Sequence, residues 1–181
     1  LAFLLLVILA LPLRGTVTPS GNKNEALPCI CAALLTSEPV ILDNVPRIRD
    51  VDVLLDILRQ LGATVEELGS RNRLKIRCDG LTSSRPDAQL CTQLRASILL
   101  MGPLAARLGE IVLPPPGGDV FGRRRVDTHF LGLEAMGAEV SIAGAYEVRT
   151  RGRLQGADVF LDEASVTATE NLLMAAALAN G

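Results

Sequence analysis

The hydrophobic and polar positions of the chain follow a helical period in some stretches and a strand-like pattern in others. Between Asp50 and Leu61, apolar side chains recur at three- and four-residue intervals, which predicts an amphipathic helix stopped by Gly62. Short apolar runs such as Val40–Leu42 predict strands. The complete prediction is a strand at 14–19, a helix at 25–35, a strand at 40–42, a helix at 50–61, strands at 64–68 and 74–78, a helix at 94–108, a strand at 111–113, a helix at 127–136, and a hairpin that pairs 139–143 with 146–150.

This order of elements occurs twice, which indicates an internal repeat. Gly62 and Gly137 are separated by the same number of residues as Val65 and Val140, and the second copy carries its extra residues in the loop around Pro116–Asp119. We therefore expect an α/β fold built from βαβαββ units. A third unit starts near the end, where Thr169-Glu170 repeats the pattern of Asn24-Glu25. The expected organisation is an apolar segment with an opening strand at 1–19, followed by one incomplete domain at 20–181 with units at about 20–90, 91–160 and 161–181.

Composition and charge narrow the functional class. Of the 181 residues, 49% are hydrophobic and 3% are aromatic, so aliphatic side chains and alanine must build the core. The 18 basic and 20 acidic residues give a formal net charge of −2, without the basic excess that nucleic-acid binding requires. Cys29, Cys31, Cys78 and Cys91 form no CxxC pair, and there is one histidine, so we expect no metal site. Free buried thiols are typical of a reducing compartment, which favours the cytoplasm.

The first 13 residues, Leu1–Leu13, are nearly all apolar. This stretch is shorter than the roughly 20 residues that span a bilayer, so no membrane span is expected. It also lacks the basic residues that open a secretory signal peptide. A buried strand followed by a turn is the interpretation we prefer, and a truncated start is the alternative.

The loop between Pro114 and the helix at 127–136 carries the densest candidate chemistry. Three prolines stiffen its start, and Gly117-Gly118 allow a ligand to approach the backbone closely. Asp119 follows at the tip, and Arg123–Arg125 offer planar cationic groups suited to phosphate or carboxylate. Asp127 is predicted to cap the next helix. The loop therefore indicates an anion site, with a solvated surface loop as the alternative.

Together the repeats and motifs resemble the enolpyruvyl transferase family, most closely its members that use UDP-N-acetylglucosamine. The resemblance implies an inside-out α/β barrel with central helices and outer sheets. It implies transfer of the enolpyruvyl group from phosphoenolpyruvate to the 3′-hydroxyl of UDP-N-acetylglucosamine with release of phosphate, without a metal or another cofactor. It also implies a second domain that this chain lacks, so that either the chain is a fragment or another chain completes it. The motifs that carry the resemblance lie at 20–28, 94–98, 116–119, 124–129 and 165–171.

The resemblance also implies roles for individual residues. Lys23, Asn24 and Arg124 match phosphoenolpyruvate contacts, and Asp119 matches a proton donor that is most often cysteine in this family. An aspartic acid needs a raised pKa for that role, and the nearby Arg124 opposes such a shift. The residues that match contacts to UDP-N-acetylglucosamine are Arg95, Arg124, Arg125, Val126, Asp127, Thr128, Glu163, Ala164, Ser165 and Val166.

Structural alternatives exist for several of these residues. Without the resemblance, Lys23 is better explained as a solvated side chain with Asn24 as a helix N-cap. Ser165 is equally well explained as an N-cap of the last helix. Arg125 stands where proline is common in the family, which puts its contact in doubt. His129 is expected to have a structural role on a helix face.

Two other functions stay open at this point. One is the shikimate-pathway member of the family, whose acceptor is shikimate 3-phosphate. The other is a non-catalytic remnant or interaction module. The main interpretation places the protein in peptidoglycan synthesis, and hence in cell-wall biogenesis, cell shape and cell division. Because Asp119 replaces a reactive cysteine, it also predicts fosfomycin resistance.

Overall fold

The computed structural model describes residues 14–117 and 125–181. These residues form α-helices and β-strands, and two 3₁₀ helices extend the helical segments at Ala33–Leu35 and Arg95–Leu100. The helices are α1 (Lys23–Ala32), α2 (Arg49–Gln60), α3 (Ala88–Cys91), α4 (Met101–Leu108), α5 (Asp127–Ala135) and α6 (Val166–Ala176). The strands are β1 (Val40–Leu42), β2 (Thr64–Leu68), β3 (Ser70–Arg77), β4 (Glu110–Leu113), β5 (Glu139–Ile142) and β6 (Tyr146–Arg149).

The strands form two antiparallel sheets of the same design. One sheet has the order β1-β3-β2 and the other the order β4-β6-β5, each with three strands. Val65 of β2 pairs with Ile76 of β3, and Val140 of β5 pairs with Val148 of β6. The two valines are the residues related by the sequence repeat, so the internal repeat is confirmed at the level of strand register.

The two copies also end their second helix in the same way. Gly62 after α2 and Gly137 after α5 have φ of 106° and 89°, a region that favours glycine. In each copy the next residue, Ala63 or Ala138, donates its N–H to a carbonyl in the last helical turn. This left-handed stop satisfies carbonyls that the helix itself leaves without donors. It is the physical reason for a glycine at this point in both repeats.

Helices form the inner layer of the fold, and the two sheets lie outside them. Helix α6 packs against both α4 and α5, and the 3₁₀ helix at Arg95–Leu100 packs against α1 and α6. On β3 the inward Leu74 and Ile76 are fully buried, whereas the outward Arg77 is exposed. Each sheet therefore covers the central helices with one face and meets solvent with the other. This layering is that of an inside-out α/β barrel, as predicted.

A half-buried arginine links the two repeats. From α4, the guanidinium of Arg107 donates to the carbonyls of Leu34 and Thr36, each at 2.6 Å, and to that of Cys78, also at 2.6 Å. Because these carbonyls lie where a helical segment and a strand have ended, they lack partners within those elements. The side chain satisfies all three and joins the second unit to the first.

Some predictions about elements were wrong. Residues 14–19 form no strand; they are exposed, and they pair with no other strand in the described part of the chain. The helix expected at 94–108 begins as a 3₁₀ helix, and Pro103 explains the break because it has no N–H to donate to the carbonyl of Leu99. Asp127 is not an N-cap: α5 starts at this residue, and its carboxylate binds Arg125 instead.

The thiol prediction holds for three of the four cysteines. Cys31, Cys78 and Cys91 are buried, but Cys29 is exposed, because α1 turns its neighbours Leu27 and Ile30 into the core. No helix within the described ranges is long and apolar enough to cross a bilayer. The predictions for Leu1–Leu13 and for Asp119, Arg123 and Arg124 lie outside the described residues.

Candidate functional site

Three helical segments begin around one cavity. The cavity measures about 250 Å³ and is bounded by the first turns of α1 and α6 and by the start of the 3₁₀ helix at Arg95–Leu100. The first N–H groups of a helix have no acceptor within it and carry partial positive charge, so such ends favour anionic ligands. The residues that line the cavity are Asn24, Leu27, Pro28, Ala96, Leu99, Val166, Thr167 and Glu170.

Lys23 is the first residue of α1 and forms an ion pair. Its Nζ lies 2.6 Å from Oδ2 of Asp50 in the first turn of α2, and the two side chains are 48% and 35% exposed. Asn22 caps α1, because its side chain accepts the N–H of Asn24 at 2.7 Å. The alternative in which Asn24 is the N-cap is therefore wrong, and Asn24 lies against the cavity.

Arg95 opens the 3₁₀ helix and is half-buried. It lies close enough to His129 for its positive charge to contribute to the lowered pKa of that imidazole, although burial is the larger cause. A cation at this helical start adds to the positive potential of the three converging N-termini.

The structure brings together two segments that the sequence left far apart, 125–128 and 163–166. The guanidinium of Arg125 lies 2.7 Å from the Asp127 carboxylate, 2.6 Å from that of Asp162 and 3.3 Å from that of Glu163. The hydrogen bond from Arg125 lowers the pKa of Asp127, and the carboxylates raise the pKa of Arg125. In this arrangement Arg125 is engaged by carboxylates.

The neighbouring members of these segments differ in exposure. Val126 is half-buried and Thr128 is fully buried, so the side chain of Thr128 does not face a ligand. Ser165 caps α6 by accepting the N–H of Ala168 at 3.3 Å, which confirms its structural role. A second cavity of about 530 Å³ runs along Glu163, Ala164 and Ser165 and shares Val166 and Glu170 with the first.

His129 is buried and hydrogen-bonded at both ring nitrogens. Its Nδ1 lies 2.8 Å from Nδ2 of Asn171, and its Nε2 lies 3.2 Å from Oγ1 of Thr167. Burial, and to a lesser degree Arg95, lowers its pKa to about 4, so the ring is neutral at pH 7. The predicted structural role is confirmed.

Sequence reasoning missed Asp50, Thr167, Glu170 and Asn171. Thr167 and Glu170 are three residues apart at the start of a helix and therefore share a face, which is a signal the sequence contains. The carboxyl of Glu170 at the cavity has a raised pKa because of its burial. Within 14–117 and 125–181, no cluster of three or more histidine, cysteine, aspartate or glutamate side chains could hold a metal ion.

Solved structures that match this fold include enolpyruvyl transferases. The crystal structure of the enolpyruvyl transferase NikO from Streptomyces tendae matches with a TM-score of 0.75 and 22% identity, over 93% of this chain and 40% of that one. EPSP synthase from Acinetobacter baumannii matches with a TM-score of 0.71 and 21% identity, over 92% of this chain and 39% of that one. These similarities establish the fold.

The chain belongs to the family described as EPSP synthase (3-phosphoshikimate 1-carboxyvinyltransferase), whose model matches residues 10–181. It is 57% identical over 169 residues to UDP-N-acetylglucosamine 1-carboxyvinyltransferase of Bradyrhizobium diazoefficiens, covering 93% of this chain and 39% of that protein. It is 52% identical over 170 residues to the protein of the same name from Treponema denticola, covering 94% of this chain and 39% of that protein. The chain thus spans about 39% of the length of these relatives.

Proposed function

We propose that this chain supplies one part of an enzyme that transfers the enolpyruvyl group of phosphoenolpyruvate to the 3′-hydroxyl of UDP-N-acetylglucosamine. Phosphate is released, and the reaction is the first committed step of peptidoglycan synthesis. The observation that supports the proposal is that three helix starts meet at one cavity, and that two of them, those of α1 and α6, place the predicted ligand residues Asn24 and Val166 in its lining. The names of relatives at 52–57% identity support the nucleotide sugar as acceptor.

The proposed phosphoenolpyruvate site lies at the start of α1. Lys23 and Asn24 lie there, and Arg124 is the third residue that we assign to phosphoenolpyruvate. The Lys23–Asp50 ion pair keeps the ammonium at this end of the helix. An incoming phosphate or carboxylate gains both the lysine charge and the unsatisfied N–H groups of the first helical turn. This double attraction suits a small ligand with two anionic groups.

The proposed nucleotide-sugar site uses the two segments joined through Arg125. It comprises Arg95, Arg124, the run from Arg125 to Thr128, and the turn from Glu163 to Val166. Since the Arg125 guanidinium is held by three carboxylates, we assign it the role of fixing these two segments against each other. Since the Thr128 side chain is buried, any contact from that residue is made by its backbone.

Asp119 is the proposed proton donor to the methylene carbon of the enolpyruvyl group. A carboxylic acid can deliver this proton only while it is protonated. It lacks the nucleophilic sulfur that the cysteine at this position provides in other members of the family. We therefore propose that the enzyme turns over with Asp119 and resists fosfomycin.

The proposed setting is the cytoplasm, where the nucleotide sugar and phosphoenolpyruvate are the small-molecule partners. Through peptidoglycan, the activity would support cell shape and cell division. Because the relatives are longer than this chain, we propose that a second domain, in the same protein or in another chain, closes over the substrates. Positioning of both substrates requires that closure, so the 181-residue chain alone is expected to be inactive.

The activity can be tested in a hybrid protein. Residues 14–181 replace the matching part of the Bradyrhizobium diazoefficiens relative, and phosphate release from phosphoenolpyruvate is measured with UDP-N-acetylglucosamine as acceptor. We expect turnover in the hybrid and none in the same hybrid with Asp119→Asn. A folded hybrid that is inactive with UDP-N-acetylglucosamine but active with shikimate 3-phosphate would favour the alternative member of the family. A folded hybrid inactive with both would favour the non-catalytic module.

A further inference from the structure

A buried chain of hydrogen bonds runs from the second repeat to the cavity. It passes through Asn171 of α6 and His129 of α5, both of which are about 99–100% buried, and ends at Thr167 on the cavity wall. The proposed function uses none of these three side chains. Their arrangement nevertheless fixes which atom donates and which accepts in each hydrogen bond that joins these three side chains.

The amide of Asn171 has only one orientation that satisfies its neighbours. Its Oδ1 accepts the N–H of Gly102 at 2.7 Å, and its Nδ2 donates to the carbonyl of Ile98 at 2.8 Å. A flipped amide would set a donor against the Gly102 N–H and an acceptor against the Ile98 carbonyl. Buried groups mismatched in this way are costly, so the backbone around the start of α4 fixes which atom is nitrogen.

The orientation of Asn171 in turn fixes the tautomer of His129. The second hydrogen of Nδ2 points at Nδ1 of the imidazole, so Nδ1 must accept and carries no proton. A neutral imidazole then holds its proton on Nε2. That proton is donated to the hydroxyl oxygen of Thr167 at 3.2 Å.

Because the Thr167 hydroxyl oxygen accepts the hydrogen bond from His129, its own hydrogen remains available for another acceptor. Thr167 is the second residue of α6, so no helical carbonyl lies one turn before it. By contrast, Thr169 is two residues further on and donates its hydroxyl to the carbonyl of Ser165 at 2.9 Å. Among the described residues, Thr167 has no hydrogen bond in which its hydroxyl donates to a protein acceptor.

We propose that Asn171 and His129 are positioning residues that orient the Thr167 hydroxyl so that it donates a hydrogen bond to a phosphate oxygen of the nucleotide sugar. This inference rests on the proposed function and adds to it a specific contact. The first turn of α6 lines the cavity, and the N–H groups at a helix N-terminus carry partial positive charge. This end of the helix therefore favours a phosphate over a neutral acceptor.

Glu170 sets where along α6 the phosphate binds. Its carboxyl lies one turn further from the N-terminus than Thr167 and lines the same cavity. A second negative charge beside that carboxyl is unfavourable. The phosphate therefore sits at the Thr167 end, and the Glu170 end suits a ligand hydroxyl that can donate a hydrogen bond.

Nuclear magnetic resonance on the 181-residue chain provides the test, because His129 is its only histidine. With ¹⁵N-labelled histidine, the imidazole spectrum reports directly which nitrogen carries the proton, and we expect Nε2. Titration with UDP-N-acetylglucosamine should then shift these signals and give an affinity. Thr167→Val should weaken that affinity about tenfold or more, as expected for a lost hydrogen bond to a charged group.

Matched variants separate this role from a structural one. Thr167→Ser keeps the hydroxyl and should bind like the unchanged chain, and His129→Gln keeps an N–H donor near Nε2 and should retain most of the affinity. Thr64→Val makes the same chemical change on an exposed strand position and should have no effect. A proton on Nδ1, or equal affinity for Thr167→Val and the unchanged chain, would overturn the inference alone. If the unchanged chain binds no UDP-N-acetylglucosamine, the same variants are compared in the hybrid enzyme: an equal KM for UDP-N-acetylglucosamine in Thr167→Val and in the unchanged hybrid would overturn the inference alone, and a folded but inactive unchanged hybrid would overturn the proposed function.

Discussion

The ammonium of Lys23 lies 2.6 Å from the Asp50 carboxylate and joins the start of α1 to the start of α2. Both side chains are substantially exposed, so the pair contributes little to stability, about 0–1 kcal/mol as for surface ion pairs in general. The pair also holds a cation at the N-terminus of α1, next to Asn24, which lines the cavity. A contact of this kind is expected to affect ligand binding more than folding.

Substitution of either partner tests that expectation in the hybrid enzyme. Lys23→Ala should weaken phosphoenolpyruvate use by about 1.5–3 kcal/mol, the range for a hydrogen bond to a charged group, and should change nucleotide-sugar binding less. Asp50→Asn should raise KM for phosphoenolpyruvate and should change the free energy of unfolding by a smaller amount than this loss of binding. Asp56→Asn, which breaks the exposed Arg59–Asp56 pair on the same helix, is the control and should change neither. Unchanged phosphoenolpyruvate kinetics in Lys23→Ala would contradict the assignment.

The close packing of α4 on α6 leads to a stability prediction. A Cβ added at Gly102 would lie 2.2 Å from the backbone oxygen of Asn171, so the helices must move apart to accept it. Gly102→Ala should therefore destabilise the chain by about 1–3 kcal/mol despite the better helix propensity of alanine. Urea unfolding followed by circular dichroism measures the change. A more stable variant would show that the helices are not in the contact described.

The buried His129 predicts how stability depends on pH. The folded pKa is about 4, below the ordinary value of 6.5, so between these values the unfolded chain binds the additional proton. The stability from the neutral ring is thus present above pH 6.5 and is lost as the pH falls towards 4. Between pH 7 and pH 5 the loss from this residue alone should be about 2 kcal/mol.

Urea unfolding at pH 7 and pH 5, compared with His129→Gln, isolates this contribution. The variant cannot titrate at this position, so its stability should fall less over the same interval. Carboxylates titrate alike in both proteins and cancel in the comparison. Parallel losses in the two proteins would mean that His129 keeps an ordinary pKa in the fold.

The prediction for Asp119 concerns drug reactivity. The hybrid enzyme should keep its activity in fosfomycin, because a carboxylate is a poorer nucleophile than a thiolate toward an epoxide. Asp119→Cys should stay active and become sensitive. Intact-protein mass spectrometry after exposure to the drug is the direct measurement. A covalent adduct on the Asp119 protein, accompanied by loss of activity, would refute the argument.

Most of the fold could be predicted from the sequence because the internal repeat contains the same order of helices and strands twice. The amphipathic period of α2 and the glycines after α2 and α5 specify local structure, and their equal spacing specifies the architecture. The 3₁₀ start before α4 was missed although Pro103 signals it. The strand predicted at 14–19 failed for a different reason: a strand needs a partner, and a local apolar pattern does not provide one.

The candidate site was predictable in part. Asn24 and Val166, which the family motifs identified, lie at helix starts and line the cavity, and Lys23 is the first residue of α1. Their roles as ligand contacts stay predictions. The ion pair of Lys23 with Asp50 and the hydrogen bond between His129 and Thr167 depend on helix packing. Such contacts join residues distant in sequence, and no pattern within a single segment contains them.

The most direct test is calorimetric titration of the hybrid protein, in which the relative supplies the rest of the enzyme, with UDP-N-acetylglucosamine and, separately, with shikimate 3-phosphate. The cavities bounded by the starts of α1 and α6 should bind the nucleotide sugar, and Thr167→Val should weaken that binding. Shikimate 3-phosphate should bind at least tenfold more weakly, by about 1.4 kcal/mol or more. Preferential binding of shikimate 3-phosphate, or no binding of the nucleotide sugar, would contradict the proposed function.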